Sequence, residues 1–278
     1  MPLTWLLAAL ALLVLGASGA AYAVAVRHGG AADATAEAFG FPLTPAERFA
    51  ATARLSNEME ESVAACMRAR GHEYSPALID IAGDTARYGY DLTPEEYAST
   101  FGFGLAEGFL RSMDAPSSSA SASYSTPAAG PDLDACRERA REELPAADRT
   151  LLEQIEAYDA ARGQIESALR SDPELRRLNE QWSRCMAARG YTATDEEDLV
   201  RQESAAFDAL LADLGASLVP GPSGAPSLTP DARARVEAFR DAEIAAAEAS
   251  LACRSSLGDA IDEAEARVVR ETLGATAP

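Results

Sequence analysis

The chain has 278 residues and a formal net charge of −20, and only 6% of its residues are aromatic. All of its Arg and Lys residues are Arg, so the chain contains no Lys. Because binding to nucleic acid or to anionic lipid headgroups depends on clustered basic residues, this charge argues against both as partners. The abundance of Ala and Arg favours helices, and the scarcity of rings predicts a thin core that would gain from covalent cross-links.

The chain begins with an uncharged apolar run at 3–26 that ends at Arg27. A helix of this length would cross the hydrocarbon core of a membrane, and it exceeds the apolar region of a signal peptide. Ala21-Tyr22-Ala23 nevertheless fits a cleavage site, and no basic residue precedes the run. The length favours an uncleaved transmembrane anchor over 1–27 in the cell membrane, with an extracytoplasmic C-terminal region. The alternative is secretion after cleavage near Ala23.

The residues that follow the apolar run, 28–43, are small and polar and are predicted to form a tether. Helix starts come next, marked by three Leu-Thr-Pro sequences that place Thr at an N-cap and Pro at the first helical position. These sequences begin at Leu43, Leu92 and Leu228. Glu follows three residues after the first two Thr, which completes a capping box.

Apolar residues then recur with helical spacing, and no stretch shows the period of two that is typical of strands. The stretches with helical spacing are 44–70, 172–189, 194–214 and 230–273. The acidic run 195–198 opens the third stretch and is predicted to be a solvated helix start, favoured by the helix dipole. The fold class is therefore predicted to be all-α, with a Ser-rich connector at 115–131 and a Pro/Gly-rich connector at 215–228.

One motif, Cys-Met-x-Ala-Arg-Gly, occurs twice, at 66–71 and at 185–190. The Gly that closes each copy fits the left-handed residue that ends a helix. One further Cys follows each copy, at Cys136 and at Cys253, with separations of 70 and 68 residues. The two copies therefore have almost the same layout.

The duplicated layout selects one of the three possible pairings of four Cys: Cys66 with Cys136, and Cys185 with Cys253. A bridge that closes about 70 residues can add roughly 4 kcal/mol of stability, and such bridges form in extracytoplasmic space. A zinc site or a redox centre would normally show a C-x-x-C pair, which is missing from the sequence. Inert buried thiols are the remaining alternative.

These features predict an N-terminal transmembrane or signal helix followed by two disulfide-stapled helical units. The first predicted unit is 44–145, which contains the Ser-rich connector. The second is 146–278, which contains the Pro/Gly-rich connector.

Several of these sequences resemble a family of uncharacterised, secreted or membrane-anchored actinobacterial proteins. The resemblance is carried by CMRARGHEY at 66–74, ARYGYDLTPEEY at 86–97 and DACRERA around Cys136, and by WSRCMAARGY and AEIAAAEASLACR in the second half. It covers most of 44–270 as sparse motifs. It implies architecture and location only, because no activity is assigned to the family.

The sequence contains no recognisable catalytic motif, metal-binding motif or phosphate-binding loop, and no cofactor or metal is predicted. His72 follows a helix-ending Gly and aligns with Tyr191 in the second copy, which argues against a role as ligand or base. The predicted function is a non-enzymatic extracytoplasmic module that contacts a protein or a cell-envelope component. The alternative is an envelope hydrolase that uses an acid/base pair of carboxyl groups.

Aromatic residues are concentrated between Tyr74 and Phe109. A core role is the simpler interpretation, because rings bury large areas. The functional alternative is a partner surface that includes Tyr88, Tyr90 and Phe103, since Tyr-rich surfaces supply rigid amphipathic contact area.

Overall fold

The computed structural model describes residues 29–41, 44–114, 130–215, 218–220 and 226–274. Their regular secondary structure consists of eleven helices and one ribbon of two short strands, so the all-α prediction is confirmed. The predicted anchor at 3–26 and most of the Ser-rich connector lie outside the described residues. From residue 29 onward, no described helix combines the length and the apolar character that crossing a membrane requires.

The elements in chain order are α1 (Gly29–Phe39), α2 (Pro45–Ala69), α3 (Ile81–Tyr88), α4 (Pro94–Phe101), α5 (Leu105–Asp114), α6 (Gly130–Glu142), α7 (Ala146–Ser171), α8 (Pro173–Ala188), α9 (Glu196–Leu214), β1 (Leu218–Pro220), β2 (Pro226–Leu228), α10 (Pro230–Ser255) and α11 (Ala260–Gly274). The two strands pair antiparallel, with Val219 opposite Ser227.

Side-chain caps explain where several helices begin. Thr44 and Thr93 accept hydrogen bonds from the backbone N–H groups of Glu47 and Glu96, and both Glu carboxylates accept a bond from the Thr backbone in return. These reciprocal bonds satisfy N–H groups that the first helical turn leaves without partners. Thr229 caps α10 in the same position. The predicted capping boxes and helix starts are therefore confirmed.

The predicted tether at 28–43 is wrong for its central part, because Gly29–Phe39 forms helix α1. Ala31 and Ala34 of α1 pack with Ile165 and Val269. Ala side chains are short enough to let two helices approach closely, so a composition that suggested a linker instead makes a packing face.

The predicted continuous helix at 230–273 is interrupted. Helix α10 ends at Ser255 and α11 begins at Ala260, with Gly258 between them at a φ of +60°. That backbone conformation is in the left-handed region, which glycine adopts without the steric penalty of a Cβ. Apolar periodicity continues across the break, so it gave no sign of the interruption.

The chain divides into two compact units. Among the described residues, unit 1 contains 41, 44–91 and 130–158, whereas unit 2 contains 29–40, 92–114 and everything from 159 onward. This division differs from the predicted boundary between 145 and 146. The segment 92–114 belongs to unit 2 because its apolar side chains pack against residues that are distant in sequence, which spacing alone does not reveal.

Each unit has its own apolar clusters. Unit 1 has three small ones, and its largest joins α2 to α6 through Val63, Ala64, Met67, Tyr74, Leu133, Cys136 and Ala140. Unit 2 has one large cluster that includes Phe103, Trp182, Met186, Phe207, Val236 and Cys253, with two smaller clusters beside α11. The larger cluster gives unit 2 more buried apolar surface around its disulfide.

Candidate partner surface

The four Cys form the two predicted disulfides. Cys66 bonds to Cys136 with their Cα atoms 5.6 Å apart, and Cys185 bonds to Cys253 with their Cα atoms 5.7 Å apart. Each bridge connects the last turns of one helix to a second helix, α2 to α6 in unit 1 and α8 to α10 in unit 2. Both pairings are confirmed, and they leave no thiol free for chemistry.

The repeated motif is a helix terminus with a bridge one turn before its end. In the first copy the N–H of His72 donates to the carbonyl of Met67, and the N–H of Gly71 donates to the carbonyl of Arg68. Tyr191 and Gly190 make the same two bonds, to Met186 and Ala187. This is the Schellman arrangement, which requires a left-handed residue after the helix.

Gly71 and Gly190 supply that left-handed residue, with φ angles of +83° and +91°. His72 and Tyr191 follow them at corresponding positions. The role of the repeated motif is therefore structural in both units.

The predicted surface residues Tyr88, Tyr90 and Phe103 do not form one surface. Phe103 is fully buried in the core of unit 2, and Tyr97 and Phe101 are buried there as well. A ring with no exposed area contacts no partner, so the prediction of Phe103 as a surface residue is wrong. The simpler interpretation, that these rings belong to a core, describes this half of the aromatic stretch.

Tyr90 also serves mainly in packing. Its ring stacks on Phe49 with centroids 4.3 Å apart, and burial raises the pKa of its hydroxyl to about 12. Tyr88 is half-buried, with its ring centroid 6.0 Å from that of Tyr90. Of the three predicted residues, Tyr88 and Tyr90 are therefore partly exposed in unit 1, and Phe103 is not exposed.

Next to these rings, the backbone at 75–80 runs without turn or bend between α2 and α3. Two side chains of α2 hold it in place. The Asn57 amide donates to the carbonyl of Ile79 at 3.0 Å and accepts from its N–H at 2.7 Å. The Glu60 carboxylate accepts from the N–H of Ala77 at 3.2 Å and from the Tyr74 hydroxyl at 2.8 Å. We refer to residues 75–80 as the 75–80 segment.

Leu78 lies at the centre of the 75–80 segment, and half of its side chain is exposed. At 50% exposure it is the one strongly exposed large apolar side chain among the described residues. Glu73 and Asp80 on either side of it are exposed acids. Sequence reasoning missed this segment, since its sequence SPALID shows neither helical nor strand periodicity.

His72 belongs to an ionic contact in unit 1. The Asp132 carboxylate lies 2.8 Å from Nε2 of His72 and 2.6 Å from the guanidinium of Arg70. The hydrogen bond from His72, then that from Arg70, holds the pKa of Asp132 below its usual range. The contact connects the end of α2 to the start of α6 beside the disulfide, which is a structural role for His72.

Glu243 in unit 2 is a completely buried carboxyl group. Its two oxygens accept hydrogen bonds from the backbone N–H groups of Leu105 and Ala106 at the start of α5, at 2.8 and 3.1 Å. Burial outweighs these bonds and raises its pKa to about 7. The backbone at Gly102 passes so close that a Cβ there would lie 2.8 Å from the Glu243 side chain. Glu243 therefore acts as an internal cap for α5.

Arg254, next to Cys253, is at the centre of a second buried polar group in unit 2. Its guanidinium contacts the carboxylates of Glu196, Asp262 and Glu265 at 3.4, 2.6 and 3.0 Å. Glu196 also accepts a hydrogen bond from the hydroxyl of Ser250. The prediction of a solvated helix start is therefore wrong for Glu196, which packs against α10.

Two carboxyl groups in unit 1 also meet. Glu58 of α2 and Asp148 of α7 are neighbours, and the pKa of Glu58 is raised by burial first and by the charge of Asp148 second. Neither this pair nor any other group of His, Cys, Asp and Glu within the described residues forms a cluster that could hold a metal ion.

Comparison with protein-family models, with curated proteins and with solved structures found no match to the chain. The resemblance to the actinobacterial family therefore stays a prediction.

Proposed function

We propose that the protein is a non-enzymatic, extracytoplasmic helical module that is held at the membrane by residues 3–26. In this proposal it contacts another protein or a cell-envelope component through unit 1. The observation that supports the contact is the exposed Leu78 on the 75–80 segment, which is fixed to α2 by three hydrogen bonds. An apolar side chain on a rigid support binds a partner at a low entropic cost.

The two disulfides support the extracytoplasmic location. Structural disulfides persist in oxidising compartments and are rare in the cytosol. Both bridges close long loops in small helical units, where they contribute most to stability in the chain-entropy model. The apolar run at the N-terminus would deliver the chain to such a compartment.

A photo-cross-linking residue at position 78 tests the proposed contact in cells. The protein carrying the cross-linker in place of Leu78 is compared with one that carries it in place of Glu138, an exposed residue of α6 in the same unit. We expect a discrete cross-linked product from position 78 and none from position 138. The absence of a product at 78, or equal products at both positions, would contradict the proposal.

An envelope hydrolase is a second candidate function, and the neighbouring carboxyl groups of Glu58 and Asp148 are the observation that favours it. Pairs of neighbouring carboxyl groups perform acid/base catalysis in many hydrolases. Glu243 is not a candidate, because it is fully buried and both its oxygens are bonded to backbone. We expect no release of soluble fragments from purified cell-wall material. Release that is lost in Glu58→Gln would favour the hydrolase.

A further inference from the structure

The backbone of the 75–80 segment is paired along one side. The N–H and the carbonyl of Ile79 both face Asn57, and the N–H of Ala77 faces Glu60. In extended backbone, successive residues direct these groups to opposite sides. The N–H and the carbonyl of Leu78 therefore point away from α2.

The groups of Leu78 remain available for a partner, because no described residue bonds to either of them. An extended edge with unpaired N–H and carbonyl groups is a template for strand addition. From this we propose that unit 1 binds an extended basic peptide of a partner protein, which adds as a β-strand along the outer edge of the 75–80 segment. This inference rests on the proposed function and specifies how the contact is made.

Side-chain alternation predicts the pattern of the peptide. Residues 76, 78 and 80 share one face of the extended segment, so a peptide residue opposite Leu78 lies against an exposed apolar side chain. The neighbours two positions away on that face lie near Pro76 and Asp80. An apolar residue with a basic residue two positions away, on the side of Asp80, therefore matches this edge, and a peptide with a basic residue on both sides matches it in either strand direction.

Charge selects a basic peptide over an acidic one. Glu73 and Asp80 are both exposed on either side of Leu78, and the chain as a whole carries a net charge of −20. The nearest Arg on each side of Leu78 along the chain is in an ion pair of its own, Arg70 with Asp132 at 2.6 Å and Arg87 with Asp84 at 3.7 Å. An acidic peptide would meet like charges at this edge and would be repelled.

The test uses the full-length protein in detergent and a fluorescent heptapeptide with the sequence Thr-Arg-Thr-Val-Thr-Arg-Thr. Fluorescence anisotropy measures the affinity. We expect saturable binding that weakens with added salt, and no measurable binding of a matched peptide with Glu in place of Arg. A third peptide, methylated on the Val backbone nitrogen, lacks the N–H that would donate to Leu78. It should bind about tenfold more weakly.

Two variants test whether the peptide binds at the 75–80 segment. Leu78→Asp should abolish binding of the Arg peptide despite the added negative charge, because it removes the apolar contact with Val and would place a carboxylate against that side chain. Ala82→Asp, which adds the same charge at an exposed position of the adjacent helix α3, should change the affinity by no more than about twofold. Hydrogen exchange measured by NMR supplies a direct reading, because the amide of Leu78 should exchange quickly in the free protein and slowly in the complex.

Several results would overturn strand addition. Equal affinity of the methylated and unmethylated peptides would exclude it even if Leu78→Asp still abolished binding, and the surface contact itself would then stand. No binding of any peptide, together with cross-linking at position 78 in cells, would exclude the inference and retain the proposed function. Self-association of the free protein that Leu78→Asp abolishes, measured by sedimentation, would replace the peptide with a second copy of the chain.

Discussion

At the ends of α2 and α8 the same six-residue motif makes the same helix terminus and the same kind of bridge, but the polar groups beside the two bridges differ. Beside Cys136, Asp132 lies at the surface with Arg70 and His72. Beside Cys253, the charged Arg254 is buried among carboxylates and a serine. The first arrangement is accessible to water and salt, whereas the second is largely protected from both.

This difference separates what the motif specifies from what it leaves open. The motif specifies where the helix stops and where the chain is cross-linked. The surroundings decide how much stability lies near the bridge and how much surface is free for other uses. In unit 2 the polar groups beside the bridge are buried, whereas unit 1 has the solvent-exposed 75–80 segment.

Removal of the disulfides should have the largest effect. The pairs Cys66→Ala with Cys136→Ala, and Cys185→Ala with Cys253→Ala, should each cost about 4 kcal/mol, because the closed loops have nearly equal lengths. Unit 1 should then lose hydrogen-exchange protection at 25 °C, since its apolar clusters are small. Unit 2 should stay protected around Trp182. The opposite order of protection would refute the view that unit 2 has the stronger core.

The substitution Arg254→Met should cost about 3 kcal/mol, because Glu196 and Glu265 would remain buried without their cation. The matched substitution Arg70→Met should hardly change the melting temperature, since Arg70 and Asp132 are both more than one third exposed. Urea unfolding monitored by circular dichroism measures both. Equal losses would show that the two charge groups contribute alike.

Glu243 should make the stability of unit 2 depend on pH. Its pKa is about 7 in the folded protein against an ordinary value of 4.5, so the folded state holds a proton that the unfolded state releases. The resulting stabilisation is complete below about pH 4.5 and is lost as the pH rises through about 7, a change of at most roughly 3 kcal/mol.

Melting curves between pH 4.5 and 8 test this expectation. Glu203, whose own pKa is raised by burial, lies near enough to add to the repulsion when both groups are charged. Glu243→Gln should flatten the pH dependence even if it lowers stability at every pH. An unchanged slope in this variant would exclude Glu243 as the source.

The smallest effect should be the same in both units. Gly71→Ala and Gly190→Ala each place a side chain on left-handed backbone in open space, so the cost should be backbone strain alone, about 1 kcal/mol. Paired melting measurements would show whether the two losses agree. A clear inequality would mean that the two helix termini are less alike than their hydrogen bonds indicate.

Features that depend on neighbouring residues were predicted well from the sequence. Thr44 and Thr93 fix helix starts through residues three positions away, and the Gly of each motif fixes a helix end. The Cys pairing was also predictable, although it is long-range, because the duplication shows the same spacing twice. Local chemistry and internal repetition each restrict the possibilities strongly.

Features that depend on distant contacts were not predictable. Glu243 is one acidic residue in an Ala-rich helix, and nothing nearby in sequence distinguishes it from a solvated Glu. The 75–80 segment is held by Asn57 and Glu60, and nothing in the sequence of α2 distinguishes these two from its other polar residues. Phe103 was proposed as a surface residue because aromatic content alone does not tell a core from an interface.

Helix α1 has a practical consequence for anyone who prepares a soluble form of this protein. Trimming the chain at residue 44 would remove what looks from its composition like a dispensable leader. It would also uncover Val269 and Ile165, which α1 covers in unit 2. Such a preparation would expose apolar side chains of α7 and α11 to solvent and would tend to aggregate. A soluble version should therefore start before Gly29.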